Sequence, residues 1–222
     1  MNQCHRPGDD DTQTFDPLAV ENIGVILGIE LVQQPLHQLP PEPFEGAGVY
    51  VLYYGGPEIA YAGLRELDQA RWQFPVYIGK ALRRNAKQGF NPKPTTEKAI
   101  HSRLSEHAAS IRATSSLNIA DFRCRYLVLN DAYIGLAESV LITLFRPAWN
   151  GMGFGSKVVG KFRTTGKVSL WDSLHPGREG RPAGDDRQGE AVERISESVR
   201  QLGEEPADSR TRWMLERIRR FL

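Results

Sequence analysis

The sequence predicts an α+β protein. Three short alternating runs rich in Tyr and Val (48–54, 75–79 and 122–129) read as strands, longer runs with helical spacing lie around them, and Gly, Pro and Asn gather at the junctions. With 222 residues, 40% of them hydrophobic, the chain can bury a substantial core, and its length fits one domain with extensions. No apolar run reaches the roughly 18 residues of a membrane span. The opening MNQCHRPGDDDTQ is polar and acidic, unlike a signal peptide, so a cytoplasmic protein is expected. Cys4 and Cys124 form no CxxC pair, which argues against a zinc ribbon or a disulfide framework.

Residues 1–16 carry charge and almost nothing to bury, and are expected to be a disordered acidic arm. A helical extension follows over 17–45. Within it Leu18, Val20, Ile23, Val25, Ile26 and Ile29 fit a helix from Pro17 to about Val32 capped by Asp16, and QLPPEPFEGAG ends it. The first strand, in GVYVLYYGG, sends Tyr50, Leu52 and Tyr54 to one face and Val49, Val51 and Tyr53 to the other. Tyr54 lies at the strand end, where packing explains it. The second strand lies in PVYIGKA, and the long interval before it, residues 55–75, has room for a short helix. Turn-rich RRNAKQGFNPKPTT (83–96) reads as a basic loop, with Thr95 or Thr96 capping a helix from Glu97 to about Ile111.

In that helix Ile100, Leu104 and Ala108 form a stripe, while Arg103 and His107 stand four apart on a neighbouring face. FRCRYLVL (122–129) is the third strand. AYIGLAESVLITLF (132–145) reads as an almost wholly internal helix ended by Pro147, with Glu138 enclosed by Leu136, Ala137, Val140, Leu141 and Leu144. An ionised carboxylate in that setting needs a cation. A basic hairpin-like segment (157–167), a Gly/Arg/Asp linker (177–190) and two amphipathic helices complete the chain, with no internal repeat.

The formal net charge of +1 hides a gradient. Residues 1–47 hold 1 basic and 8 acidic side chains, 48–156 hold 13 and 8, and 157–222 hold 14 and 11. A basic body behind an acidic arm is compatible with a polyanionic partner.

In chain order the unusual polar residues are Tyr50, Tyr77, Arg103, His107, Glu138 and Asn150. This order resembles the GIY-YIG nuclease superfamily, whose first triplet is present as Gly48-Val49-Tyr50 and whose second is intact as Tyr77-Ile78-Gly79. The resemblance covers about residues 46–152 and implies a small three-stranded antiparallel sheet flanked by helices, with 153–222 as a basic and helical C-terminal extension for DNA recognition or dimerisation. The pairing of Arg103 with His107 in RLSEH is similar to the type II restriction endonuclease branch with the specificity of SacII. That implies a bacterial enzyme acting as a homodimer on double-stranded DNA at a short palindrome such as CCGCGG. The 55–75 interval is longer than is usual in the superfamily, and is expected to touch DNA or a second subunit.

The resemblance also gives the residues roles. Glu138 offers a hard oxygen ligand to a single Mg²⁺, Arg103 forks the scissile phosphate, Tyr50 takes or passes on the proton of the attacking water, and Tyr77 orients phosphate or nucleophile. A free phenol is a poor base at neutral pH. Mg²⁺, Arg103 and Lys80 are the cations able to favour phenolate, and a neutral His107 can carry the proton onward. Asn150 is expected to position Glu138 or a phosphate. Lys157, Lys161 and Arg163, with Arg83 and Arg84, are the candidates for contacts to guanine edges or phosphates. Two alternatives stay open: a nuclease of a mobile element or repair system, and a DNA-binding module without catalysis.

Overall fold

The computed structural model describes residues 16–84, 95–155, 166–182 and 184–221. The expected disordered arm therefore lies outside the described residues except for Asp16, as does most of the basic loop. The three expected strands form β2 (Gly48–Tyr54), β3 (Tyr77–Ala81) and β4 (Phe122–Val128), and a two-residue strand β1 (His37–Gln38) joins them. The order is β1-β4-β2-β3, antiparallel throughout. β1 comes from a stretch that reads in sequence only as a helix terminator. β3 starts two residues later than expected because Pro75 has no N–H to donate. The first bond on this side is from Val76 N to the Leu52 carbonyl, at 2.8 Å.

β2 is central, and all seven of its residues are buried. Its alternation is the predicted one. Tyr50, Leu52 and Tyr54 enter one core with Ile100, Leu104 and Ile111 of α3 (Ala99–Arg112), while Val49, Val51 and Tyr53 enter a second with α1 (Val20–Gln33) and α4 (Asp131–Phe145). Helices thus cover both faces of the sheet. Asp16 shapes the turn before α1, accepting from Leu18 N at 2.9 Å, but does not cap the helix, whose first residue is Val20. Thr95 likewise accepts from Glu97 N at 3.1 Å, one turn ahead of α3, which starts at Ala99.

The cores do not stop at residue 152. Trp171 of α5 (Leu170–Leu174) and Ala191 and Ile195 of α6 (Gln188–Gly203) lie in the Tyr50 core, and Trp213, Met214 and Ile218 of α7 (Ser209–Ile218) lie in the other. The interval 55–75 also builds the core. A turn of 3₁₀ helix (Ile59–Tyr61) and α2 (Ala62–Asp68) carry Tyr61 and Leu64 into it, and α2 packs on α6. Gln69, Ala70 and Trp72 then adopt positive φ. The buried Asp68 holds that strained turn by accepting from the backbone N–H groups of Trp72, Gln73 and Phe74 at 2.8, 2.7 and 3.2 Å. Among the described residues no helix is long and apolar enough to cross a membrane.

Candidate active site

Antiparallel pairing sets Tyr50 opposite Gly79. A Cβ at Gly79 would lie 2.6 Å from the Tyr50 hydroxyl, so the glycine of YIG makes room for the tyrosine of GVY. One helix away, α3 presents His107, whose Nε2 lies 2.8 Å from that hydroxyl. Arg103, one turn earlier on α3, is near enough for its charge to act on the same phenol. Burial raises the Tyr50 pKa, the neighbouring Tyr77 adds to this, and Arg103 opposes it.

His107 is 3% exposed, and burial together with the charges of Arg103 and Arg178 lowers its pKa to about 3. It is therefore neutral at ordinary pH. The tautomer carrying hydrogen on Nδ1 offers Nε2 as acceptor to the Tyr50 hydroxyl. The imidazole is also stacked on Phe154, with ring centroids 4.7 Å apart.

Tyr77 shares the Tyr50 face of β3 and meets His107 edge-on, with ring centroids 5.1 Å apart. Its hydroxyl passes over Gly155, where a Cβ would be 1.9 Å away. Arg103 pairs with Glu106 and donates to the Gly155 carbonyl at 3.3 Å. Burial raises the Tyr77 pKa, Arg103 works against this, and the Glu138 carboxylate raises it further.

Glu138 acts on both tyrosines through its charge but stands on α4, across the sheet from α3. Its side chain is 21% exposed and meets Lys80 Nζ at 2.7 Å. The expectation of an almost wholly internal α4 is corrected here. Ala132, Tyr133, Gly135, Ser139 and Thr143 face outward, because only one side of the helix packs on the sheet. Lys80 shares a β3 face with Ile78 and not with Tyr77, so its ammonium reaches Glu138 on the α4 side of the sheet.

Asn150 lies beyond α4, against the free edge of β3. Its Oδ1 accepts from Ile78 N at 2.9 Å and its Nδ2 donates to the Ile78 carbonyl at 2.8 Å, so both ends of the amide hold the strand and neither holds Glu138. Arg83 is largely covered and pairs with Asp131, whereas Arg84 is 90% exposed with Glu97 3.7 Å from it. Lys157, Lys161 and Arg163 lie outside the described residues.

Sequence reasoning missed the support behind His107. Arg178 sits in the stretch that reads as a linker, yet it is 6% exposed. It grips Asp172 at 2.6 and 2.7 Å and donates to the Phe154 carbonyl at 2.9 Å and the Gly153 carbonyl at 3.3 Å. It thereby fixes the turn that stacks Phe154 on His107 and brings the Gly155 carbonyl to Arg103. A usable signal was present: Ser169 and Asp172 have capping-box spacing, and the Ser169 hydroxyl accepts from Asp172 N at 3.1 Å.

A buried aromatic face, a neutral histidine on a phenol, an arginine beside them and a partly exposed carboxylate paired with the strand's lysine form a constellation suited to phosphodiester chemistry. No curated protein matches the chain. Residues 42–202 match the Eco29kI GIY-YIG domain, a span that takes in every residue of this constellation as well as α5 and all of α6 but its last residue. The chain thus belongs to the Eco29kI GIY-YIG domain family and is a nuclease acting on DNA.

Proposed function

We propose that the protein is a type II restriction endonuclease that hydrolyses both strands of DNA at a short palindrome, with Mg²⁺ as cofactor. The observation that carries this is the contact of Tyr50 with a neutral His107 beside Arg103. Because its pKa is raised, Tyr50 is a protonated phenol before substrate arrives. It can take the proton of an attacking water at its oxygen only while passing its own hydrogen to His107 Nε2, which becomes imidazolium. That cation is opposed by burial and by Arg103 and Arg178, and the negative phosphate of bound DNA offsets part of this field. Arg103 forks two phosphoryl oxygens and Tyr77 orients the phosphate.

The donor set fits Mg²⁺. Among the described residues no group of three or more His, Cys, Asp or Glu gathers, and a single partly exposed carboxylate suits an ion that keeps water and substrate phosphate as its other ligands. Glu138 would hold the ion, which supplies charge neutralisation at the phosphoryl oxygens and the departing 3′ oxygen. Lys80 then shares or releases the carboxylate.

One module holds one such site, and cutting two strands calls for two, hence a homodimer on a palindromic target. The likeness of RLSEH to the SacII-specificity branch favours CCGCGG, with Lys157, Lys161 and Arg163 as candidate base-reading residues and Arg84 as a phosphate contact. The test is plasmid cleavage with Mg²⁺ followed by sequencing of the ends. Discrete ends at CCGCGG are expected. Random, lesion-dependent or asymmetric sites would contradict the restriction reading.

A further inference from the structure

Beyond the edge of β3, the C-terminal half of α4 and one face of α6 enclose an open cleft of about 320 Å³. Arg146, Arg194 and Asn150 line it together with Ile142, Pro147 and Ser198. Among the described residues neither arginine guanidinium has a hydrogen bond or ion pair, unlike those of Arg83, Arg103 and Arg178. A Cβ on Gly151 would be 3.9 Å from the Arg194 guanidinium, which sets that cation beside the turn carrying Asn150. One carboxylate, Glu197, also lines the cleft and feels the charge of Arg194, but its contacts are with Arg200 at 2.7 Å and Gln201 at 2.5 Å.

The backbone at Arg146 is unusual. It caps α4 at φ +42°, a left-handed conformation that favours glycine and strains any other residue. The strain is locked in, because Arg146 N donates to the Ile142 carbonyl at 2.9 Å and its own carbonyl accepts from the Ser198 hydroxyl at 2.7 Å. A long cation thus projects from a rigid corner at which a glycine would cost less. Glu138 and Ile142 lie four apart on one side of α4, and Arg146 follows directly after its last residue, Phe145. From Glu138 to the end of α4 the helix rises about 10 Å, so a DNA strand following α4 from Glu138 would reach the cleft after roughly three nucleotides.

We propose that this cleft is a phosphate-binding subsite in which Arg146 and Arg194 hold a backbone phosphodiester of the DNA flanking the scissile bond. The proposal rests on the nuclease reading and extends it, since it assigns two cations that neither the GVY and YIG triplets nor the α3 pair contains. Planar guanidinium forks suit a phosphodiester, and such contacts grip DNA without reading its sequence.

The test is affinity for a short duplex, measured without divalent cation across a salt series, for the full chain and for Arg146→Gln, Arg194→Gln and the double Arg→Lys variant. Each Gln variant should weaken binding about tenfold at low salt, equally for cognate and scrambled duplexes, and should reduce the log–log salt slope by about 0.9. The double Lys variant, which keeps both charges, should retain the wild-type slope. Glu197→Gln should bind more tightly than wild type. Thermal unfolding confirms that each variant is folded. If both Gln variants keep wild-type affinity and slope while the wild type cuts DNA, the subsite is wrong and the nuclease reading stands. Loss confined to the cognate duplex would also overturn it, since that is base reading. A wild type that neither binds nor cuts DNA would remove the nuclease reading itself.

Discussion

A histidine buried to 3% exposure between an arginine and a phenol takes up a proton only against desolvation and like charge, and this sets a direction for acid sensitivity. His107 has its pKa lowered to about 3, and His175, buried against Tyr61 and Ser116, has its own lowered to about 4 by burial. In the unfolded chain both titrate near 6.5. Between those values the unfolded state binds more protons, so stability is complete above about pH 6.5 and is lost as pH falls toward 4 and then 3. Urea unfolding over that range should show the loss, and His107→Gln, which cannot charge, should reduce its steepness. A wild-type stability that stays level from pH 6.5 to 4 would contradict the buried neutral assignment. At this scale the sequence was partly legible. Strand alternation alone assigned Tyr50 and Tyr54 to one face and Tyr53 to the other. The partner of Lys80 was not legible, because it depends on where α4 crosses β3 and not on any local spacing.

Among the elements, β3 is an edge strand of the sheet, paired only with β2. Asn150 stands in for a missing neighbour strand by bonding both backbone groups of Ile78, next to Tyr77. Asn150→Ala removes both bonds and should cost about 2 kcal/mol of stability, with cleavage falling further than DNA binding because Tyr77 loses its fixed backbone. Denaturant unfolding and cleavage of the same preparation check this, and an Ala variant with unchanged stability would show that the clamp is dispensable. The helices α3 and α4 were readable from their stripes to within two residues at either end. The clamp was not, because a side-chain amide that pairs with backbone leaves no periodicity. α5 is five residues long, too short for its apolar spacing to show, and only its capping serine and Asp172 mark it.

Across the whole molecule, one sheet with helices on both faces brings two layers to a common edge. Tyr50, Tyr77, Arg103 and His107 come from the α3 side and Glu138 from the α4 side. The order of these residues along the chain was legible from sequence. The integration of the C-terminal segment was not, because a Gly/Arg/Asp run reads as linker until Arg178 is seen buried on Asp172. The central claim is that the two layers build one hydrolytic site with Glu138 as its metal-binding carboxylate. Glu138 is partly exposed and its partner Lys80 more so, so Glu138→Ala should change stability by less than about 1 kcal/mol. It also removes a negative charge from the proposed phosphate site. The most direct measurement is therefore plasmid cleavage and duplex binding by folded Glu138→Ala, with Tyr50→Phe alongside. The account predicts cleavage lost in both, and binding by Glu138→Ala equal to or tighter than wild type. A folded Glu138→Ala protein that cuts DNA at near the wild-type rate would contradict it.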